Sequence, residues 1–313
     1  MIIERAKYEA SDSKTHSILL EQKEKEISIK NNIEILKSNI LELKEQKSNL
    51  ENKKNELNKE ENELLKKREE KPRKKGITMV LDKGLGLETA ESLMNISGDY
   101  VDYLKFGWGT SIVHEQDIIK DKVAMYKSHN ITPYTGGTLF ELAYMNDKLE
   151  EFFQEAHDLG FEAIEVSDGS TTISHDKKLE CIESAKKDGF EVLSEVGKKD
   201  PGLDKELSLD ERIDYMQNEL ESGSSLIIVE AREGGKNIGI YDKSGNAKED
   251  EIDYILDNFD GNKILWEAPN KDQQVFFILK LGNDVNLGNV STDDITSLET
   301  LRRGLRGDTV GKI

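Results

Sequence analysis

The sequence has few of the residues on which several common chemistries depend. It contains one cysteine, Cys181, and five histidines among 313 residues. A single cysteine excludes an internal disulfide and any metal site built from several cysteines. Because Cys181 falls within a helical pattern, we interpret it as a packing residue and not as a nucleophile. No histidine stands at the end of a predicted strand, which argues against zinc and against acid–base chemistry by histidine.

Long apolar runs are also missing. No segment approaches the roughly 20 apolar residues that cross a membrane, and the N-terminus has no apolar signal core. We therefore expect a cytoplasmic protein without membrane contacts.

Charge is abundant and uneven: residues 1–75 hold 19 Lys and Arg against 16 Asp and Glu, and the remainder hold 25 against 47. An acidic main body argues against nucleic acid as a partner.

The first 71 residues contain neither proline nor glycine. Apolar residues recur here every seven positions, at Ile29, Leu36, Leu43, Leu50, Leu57 and Leu64. A second row begins with Ile33 and Ile40 and then decays to Lys47, Lys54 and Glu61. The pattern predicts a long solvated helix. It leaves open whether residues 18–68 form a coiled coil with themselves or another partner, or have no partner. We assign residues 1–75 to this helix and a linker around Pro72.

From Gly76 onward the pattern changes to short apolar runs that alternate with helical segments. The predicted strands are Ile77–Leu81, Tyr100–Phe106, Ile131–Tyr134, Ala163–Val166, Glu191–Val196, Ser225–Val229, Ile264–Trp266 and Val285–Leu287. Eight strand–helix units in this length predict an α/β fold, a (β/α)8 TIM barrel over residues 76–313. An open doubly wound sheet is the alternative, but it usually has fewer strands and a G-x-G-x-x-G fingerprint, which is missing after the first strand.

Charged residues follow the predicted strands with unusual regularity. The carboxylates are Asp82, Glu165, Glu195, Glu230 and Glu267, and the cations are Lys83, Lys105, Lys198, Lys199 and Arg232. In a (β/α)8 barrel the carboxyl ends of the strands carry the chemistry. Burying an unpaired charge costs several kcal/mol, so these residues must pair with each other, bind a metal or bind a ligand. Their regular position predicts a site at this end of the barrel.

The residue types indicate what such a site would bind. Carboxylates suit a hard cation such as Mg²⁺, and the lysines and Arg232 suit phosphate or carboxylate groups. The segments Gly136–Thr138 and Ser167–Gly169 can offer backbone N–H groups to an oxyanion. A lysine beside carboxylates is the best proton donor or acceptor. A Schiff base on Lys198 or Lys199 is also open, because barrel aldolases use a lysine at a strand end.

The strand-end motifs together resemble the phosphosulfolactate synthase family. The matching segments are MVLDKG from Met79, KFGWGTS from Lys105, GGTLFE from Gly136, EVSDG from Glu165, EVGKK from Glu195, EARE from Glu230, WEAP from Trp266 and LETLRRGLRGDT from Leu298. The resemblance runs from Gly76 to Ile313 and excludes the N-terminal helix. It implies a (β/α)8 barrel that uses Mg²⁺ to add sulfite to phosphoenolpyruvate. The product would be (2R)-phospho-3-sulfolactate, on one route to coenzyme M, and the protein would be a homo-oligomer.

The resemblance also implies roles for individual residues. Lys199 is expected to be the acid that protonates C2, with Lys198 as the alternative. The substrate anions are expected to contact Lys83, Lys105, Arg232, Ser167, Gly169, Asn286 and Asn289. Barrels often bind phosphate after the last strand, which is why the two asparagines are included. The Mg²⁺ ligands are expected among Asp82, Glu165, Glu195 and Glu230.

Two other functions are compatible with the sequence. One is a different barrel lyase or aldolase that acts on a phosphorylated keto acid. The other is a non-catalytic stress-associated or scaffold protein, because the family includes plant heat-stress-associated members. The charged strand ends favour an enzyme, since a scaffold has no need of buried charge.

Overall fold

The structure is a computed structural model. It describes the backbone of residues 2–65, 68–231 and 234–313, and the side chains of 17–57, 68–200, 202–231 and 234–313. Contacts divide the chain into two units, Met1–Leu64 and Leu65–Ile313. The first unit belongs to one helix, α1 (Ile2–Leu65). Every side chain described between residues 17 and 57 is exposed, so the predicted long solvated helix is confirmed.

The second unit contains a closed barrel of parallel strands in sequence order. The strands are β1 (Thr78–Asp82), β2 (Tyr103–Phe106), β3 (Thr132–Thr135), β4 (Ala163–Val166), β5 (Glu191–Val196), β6 (Leu226–Val229), β7 (Ile264–Glu267) and β8 (Leu287–Ser291). The barrel closes where Thr78 of β1 pairs with Leu287 of β8. The predicted (β/α)8 barrel is therefore confirmed.

Helices connect the strands on the outside of the barrel. They are α2 (Leu87–Ser97), α3 (Thr110–Val113), α4 (Gln116–Ser128), α5 (Gly137–Met145), α6 (Leu149–Asp158), α7 (His175–Lys187), α8 (Pro201–Glu206), α9 (Leu209–Ser222), α10 (Glu249–Asn258), α11 (Lys271–Leu281) and α12 (Ile295–Arg302). The residues that begin them follow ordinary helix chemistry. Ser208, for example, caps α9 by accepting from the Glu211 backbone N–H at 3.2 Å, and Glu211 accepts from the Ser208 N–H in return.

Two predicted strands differ from the structure by more than one residue. The predicted strand Tyr100–Phe106 begins only at Tyr103, because Tyr100 belongs to a short 3-10 helix. The last strand is displaced at both ends. The sequence predicted a last strand at Val285–Leu287, whereas β8 spans Leu287–Ser291. The prediction followed the short apolar run and missed a strand that contains Gly288 and Asn289. Gly288 is needed because a side chain there would meet Met79 and Leu265 inside the barrel, at 2.9 and 3.2 Å.

Side chains alternate between two cores along the strands, as the two-residue period of a strand requires. The larger core lies between strands and helices. The smaller core fills the barrel and includes Met79, Tyr134, Leu193, Ile228 and Leu265. The inward positions two residues further along β4, β5 and β7 are glutamates. An apolar plug therefore supports a charged layer at the carboxyl ends of the strands.

Residues 68–75, which we call the basic strap, pack on the opposite end of the barrel. Arg68 Nε lies 2.8 Å from Glu299 Oε2, and both side chains are buried. Lys71 Nζ donates to the Gly98 carbonyl at 2.7 Å, and Arg73 pairs with Asp102 at 2.8 Å. The predicted linker around Pro72 is therefore fixed to the barrel through its charged side chains. In the described part of the chain, no helix is both long enough and apolar enough to span a bilayer.

Candidate active site

A cavity of about 200 Å³ opens at the carboxyl ends of the strands, and we call it the mouth. Residues from all eight strands, or from the segments just after them, meet here. Its lining is Leu81, Lys105, Gly107, Trp108, Gly136, Thr138, Glu165, Glu195, Lys199, Glu230, Glu267 and Asn289. The structure thus brings together Lys105, Lys199, Asn289 and three of the four predicted metal ligands.

Four glutamates form the floor of the mouth, and each is almost completely buried. Glu165, Glu195 and Glu267 lie on β4, β5 and β7, and Glu230 directly follows β6. Lys105 of β2 lies among them. Its Nζ is 2.8 Å from Glu165, 3.7 Å from Glu267 and 4.0 Å from Glu195. The ammonium group of Lys105 is thus shared by three carboxyl groups.

The mouth holds more carboxyl groups than amines. Four glutamates face two lysines, Lys105 and Lys199, and the carboxyl pKa values respond to this imbalance. Burial raises the pKa of Glu230 well above its ordinary value, and the neighbouring Glu195 adds to the rise. Burial likewise raises the pKa of Glu267 to about 7 and raises that of Glu165. The Glu195 pKa is lowered instead, because Lys199 and Lys105 outweigh its burial.

Lys199 stands between two carboxylates at the wall of the mouth. Its Nζ lies 3.8 Å from Glu195 Oε1 and 3.8 Å from Glu141 Oε1. The charge of Glu195 is the main cause that raises the Lys199 pKa, so the amine is protonated at neutral pH. Its backbone N–H donates to the Gly169 carbonyl at 3.0 Å. A side chain at Gly169 would come within 3.1 Å of the lysine's own side chain, so glycine leaves the room that Lys199 occupies.

Glu141 is a buried residue of this site that sequence reasoning missed. It lies on α5 and accepts from Ser167 Oγ at 2.5 Å and from the Ser170 backbone N–H at 2.8 Å. Ser167, which was predicted to bind the substrate, thus donates its hydroxyl hydrogen bond to Glu141. One sequence feature could have indicated it. Glu141 lies in the first two turns of α5, and this helix begins at Gly136-Gly137, directly after β3.

Trp108 is a second residue that was missed. It lines the mouth with a left-handed backbone, φ 53°. Lys83, predicted to bind an anion, is exposed and lies with its Nζ 5.2 Å from the centre of the Trp108 ring. This is within range of a cation–π contact. Lys83 therefore stands at the rim of the mouth and not on its floor.

Asp82 and Asn286 lie away from the mouth. Asp82 points outward on β1, one residue after the inward Leu81, and its Oδ2 is 2.6 Å from Lys122 Nζ and 2.9 Å from the Tyr126 hydroxyl. Asn286 precedes β8 at the opposite end of the barrel, where it accepts from the Ile77 N–H at 3.0 Å. The prediction that Asn286 follows the last strand is wrong.

Lys198 points away from Lys199, into a larger cavity of about 490 Å³ beside α7. It forms an ion pair with Asp168. Lys178 in the same cavity pairs with Glu219 at 2.7 Å and with Asp168 at 3.1 Å. These charges compensate one another, in contrast to those of the mouth. Arg232, the last predicted anion ligand, lies outside the described residues.

The chain matches the family model of (2R)-phospho-3-sulfolactate synthase (ComA) over residues 66–308. It belongs to this family. It is 57% identical to the phosphosulfolactate synthase of Methanothermobacter thermautotrophicus over 243 residues, covering 78% of this chain and 94% of the relative. It is 52% identical to the Methanocaldococcus jannaschii enzyme over 240 residues, or 77% of this chain and 96% of the relative. The Bacillus subtilis phosphosulfolactate synthase is 39% identical, with 76% and 94% covered.

The family assignment agrees with the resemblance in the strand-end motifs and identifies the chain as an enzyme. The family match begins at residue 66, so it includes the basic strap and leaves out all of α1. Every residue that lines the mouth lies within the match.

The charged layer also bears on the expected Mg²⁺. Among the described residues, no three Asp, Glu, His or Cys side chains are placed to form a metal site on their own. Mg²⁺ does not require such a group, because it usually binds through one or two carboxylates together with water and substrate oxygens. Buried glutamate oxygens in excess of lysines suit a hard cation in both charge and ligand type. The mouth therefore fits Mg²⁺, and Glu195 and Glu230, whose side chains contact one another, could hold it.

Proposed function

We propose that this chain is a phosphosulfolactate synthase that joins sulfite to C3 of phosphoenolpyruvate. The product would be (2R)-phospho-3-sulfolactate, and the reaction would serve coenzyme M biosynthesis. The main support is the mouth itself, a buried layer of lysines and glutamates that lies wholly within the family match. The names of the relatives at 57% and 52% identity support the same reaction.

The reaction has two steps that the chain must assist. The sulfur lone pair of sulfite forms a bond to C3, and the electrons of the C2–C3 double bond move toward C2 and the carboxylate. C2 then takes a proton, and the phosphate ester remains intact. Both substrates are anions, so cations must bring them together. Lys105 on the floor and Lys83 at the rim are placed to hold anionic groups of the substrates.

Lys199 is proposed as the acid that delivers the proton to C2. Its amine carries a proton at neutral pH because Glu195 raises its pKa. It lines the mouth, whereas Lys198 faces another cavity. Contacts with Glu141, Glu195 and the Gly169 carbonyl hold Lys199 in place. They would fix the direction from which its proton reaches C2, and a fixed direction would give a single configuration at C2.

Mg²⁺ is proposed as the cofactor, held by Glu195 and Glu230. When bound, it supplies positive charge that stabilises the negative charge developing on the substrate carboxylate. The excess of negative charge in the mouth supports this assignment. The protonated state of Lys199 argues against the aldolase alternative, because a Schiff base forms only from a neutral amine.

The test is incubation of the purified protein with phosphoenolpyruvate, sulfite and Mg²⁺, followed by mass spectrometry of the products. We expect a sulfonated, phosphorylated acid, and we expect EDTA to abolish its formation. No sulfonated product between pH 6 and 9 would overturn the proposed reaction. Borohydride treatment with a phosphorylated keto acid serves as a control, because a reduced covalent adduct on Lys199 would instead support the aldolase alternative.

A further inference from the structure

Helix α1 carries a continuous row of exposed apolar residues. Ile29, Leu36, Leu43, Leu50 and Leu57 recur every seven residues, and each is between 56% and 68% exposed. Ile33 and Ile40 extend the row on one side, 44% and 52% exposed. A strict seven-residue repeat drives two helices to coil around each other with a left-handed twist. We call these seven residues the seam, with the leucine row at d positions and Ile33 and Ile40 at a positions.

The remaining a positions decide how two such helices can pair. They are Glu26, Lys47 and Lys54, all exposed. In a parallel pair in register, each a residue packs beside its own copy, so three layers would each bring two like charges together. Like charges placed directly against each other destabilise a pair. The sequence therefore disfavours the parallel arrangement of two copies.

An antiparallel pair removes these conflicts, because each a residue then packs against a d residue. With the helix turned end for end about a point between Leu41 and Glu42, Ile33 meets Leu50 and Ile40 meets Leu43 of the second copy. Lys47 and Lys54 meet Leu36 and Ile29, and Glu26 meets Leu57 at the end of the seam. A lysine can lay its aliphatic stem along an apolar side chain and keep the amine in water, and Glu26 no longer meets its own copy. No layer then brings two like charges together.

Charges beside the seam are compatible with this register. Lys30 faces Glu51 of the second copy, twice in each pair. Lys37 faces Lys44 of the second copy, which is unfavourable, but Glu34 of its own helix holds Lys37 at 2.8 Å. Such exposed pairs contribute little in either direction. The seam, and not its borders, decides the orientation.

We propose that α1 docks on α1 of a second copy of this chain as an antiparallel coiled coil in this register. The pair would link two copies of this chain through a segment that lies outside the family match, which begins at residue 66. The proposal is independent of the reaction in the mouth.

Disulfide trapping in the full chain tests both the partner and the orientation. Chains with Ile33→Cys and with Leu50→Cys are purified, mixed and oxidised. The antiparallel register places these two positions face to face, within the 4.4–6.8 Å between Cα atoms that a disulfide allows. We expect mixed dimers to dominate. Oxidised alone, each variant should stay monomeric on a denaturing gel, because its two copies of the cysteine are about 25 Å apart.

Two results would overturn the proposal. Efficient dimers from Ile33→Cys alone would show a parallel pair, and no cross-link in either experiment would show that α1 does not pair with itself. The unmodified chain is the control, because its only cysteine, Cys181, is buried and has its pKa raised to about 11 by burial. Leu36→Glu with Leu43→Glu should prevent cross-linking of the mixed pair while the helix content by circular dichroism stays the same.

Discussion

Both ends of the barrel bury charged residues, but the two ends differ in how these residues are partnered. We call the end opposite the mouth, where the basic strap packs, the base. At the base, each buried cation has partners: Arg302 donates to the carbonyls of Asn283 and Val285 at 2.6 and 2.7 Å, and Arg68 pairs with Glu299. At the mouth, four glutamates share two lysines, and the carboxyl pKa values of Glu165, Glu230 and Glu267 are raised. A buried charge that has its partners in the folded chain becomes strongly destabilising when one partner is removed. Charge that is left in excess is available for a ligand.

The largest effect is expected at the mouth, from Lys199→Ala. If Lys199 is the acid, its loss should lower kcat by about 10²–10⁴-fold, the range for one acid–base group, with the thermal midpoint nearly unchanged. Lys198→Ala is the matched control, because the neighbouring lysine faces a different cavity. We expect it to change kcat by less than about tenfold, or 1.4 kcal/mol. Steady-state kinetics measures kcat for both variants. Equal losses of kcat would show that the position of Lys199 in the mouth does not make it the acid.

The second prediction compares one buried glutamate from each end. Glu299→Gln should lower the free energy of unfolding by about 3–5 kcal/mol, because Arg68 is left buried without its carboxylate. Glu230→Gln should leave that free energy unchanged or raise it, since it removes a carboxyl from a site with excess negative charge. Urea denaturation of both variants measures the difference.

The effects of these two substitutions on kcat should be the reverse of their effects on stability. We expect Glu230→Gln to lower kcat by at least tenfold, as loss of a group that holds or orients a metal usually does. Glu299→Gln should keep nearly full kcat at a temperature where it is folded. A large loss of stability at Glu230, or a large loss of turnover at Glu299, would contradict the contrast between the two ends.

The third prediction concerns pH. Burial raises the folded-state pKa of Glu267 from 4.5 to about 7, against the pull of Lys105. A carboxyl with a raised pKa binds its proton more tightly in the folded chain. Its contribution to stability is thus fully present below about pH 4.5 and lost as the pH rises through 7. Without Mg²⁺, the free energy of unfolding should fall by on the order of 1–3 kcal/mol between pH 5 and pH 8.

Glu267→Gln should flatten this pH dependence, because glutamine does not titrate. Adding Mg²⁺ should raise the thermal midpoint more at pH 8 than at pH 6, since metal ligands must be deprotonated. Differential scanning fluorimetry across this pH range measures both effects. An identical slope in the variant would show that Glu267 is not the group responsible.

Sequence reasoning reached the barrel and much of the mouth because both follow from short-range patterns. Strand periodicity places Glu165, Glu195 and Glu267 at the carboxyl ends, and the barrel brings those ends together. It failed where the face of a strand or its boundary mattered: Asp82 is the last charge of β1 but points outward, and Asn286 precedes β8. A choice between inward and outward positions needs the register, which a five-residue strand does not reveal on its own.

Contacts between distant segments were beyond reach for a different reason. The basic strap looks like a linker in sequence because its charges are typical of a solvated segment, and only the barrel base supplies the carbonyls and carboxylates that bury them. Glu141 likewise looks like an ordinary helical residue. Its place in the site becomes visible only when Ser167 and Lys199, from two other strand ends, lie beside it.

Glu141→Gln is expected to have the smallest effect, and it tests whether the mouth positions its acid through excess charge. The substitution keeps the size of the side chain and removes one of two carboxylates near Lys199. We expect kcat to fall by about tenfold, or 1.4 kcal/mol, with KM for phosphoenolpyruvate changed less. Because a nearby negative charge raises the pKa of Lys199, its removal should shift the basic limb of the kcat profile to lower pH. Glu150→Gln on the exposed face of α6 is the control, with no expected shift. A fall in kcat without movement of the basic limb would assign Glu141 to the folding of the Ser167–Ser170 loop, and not to the acid.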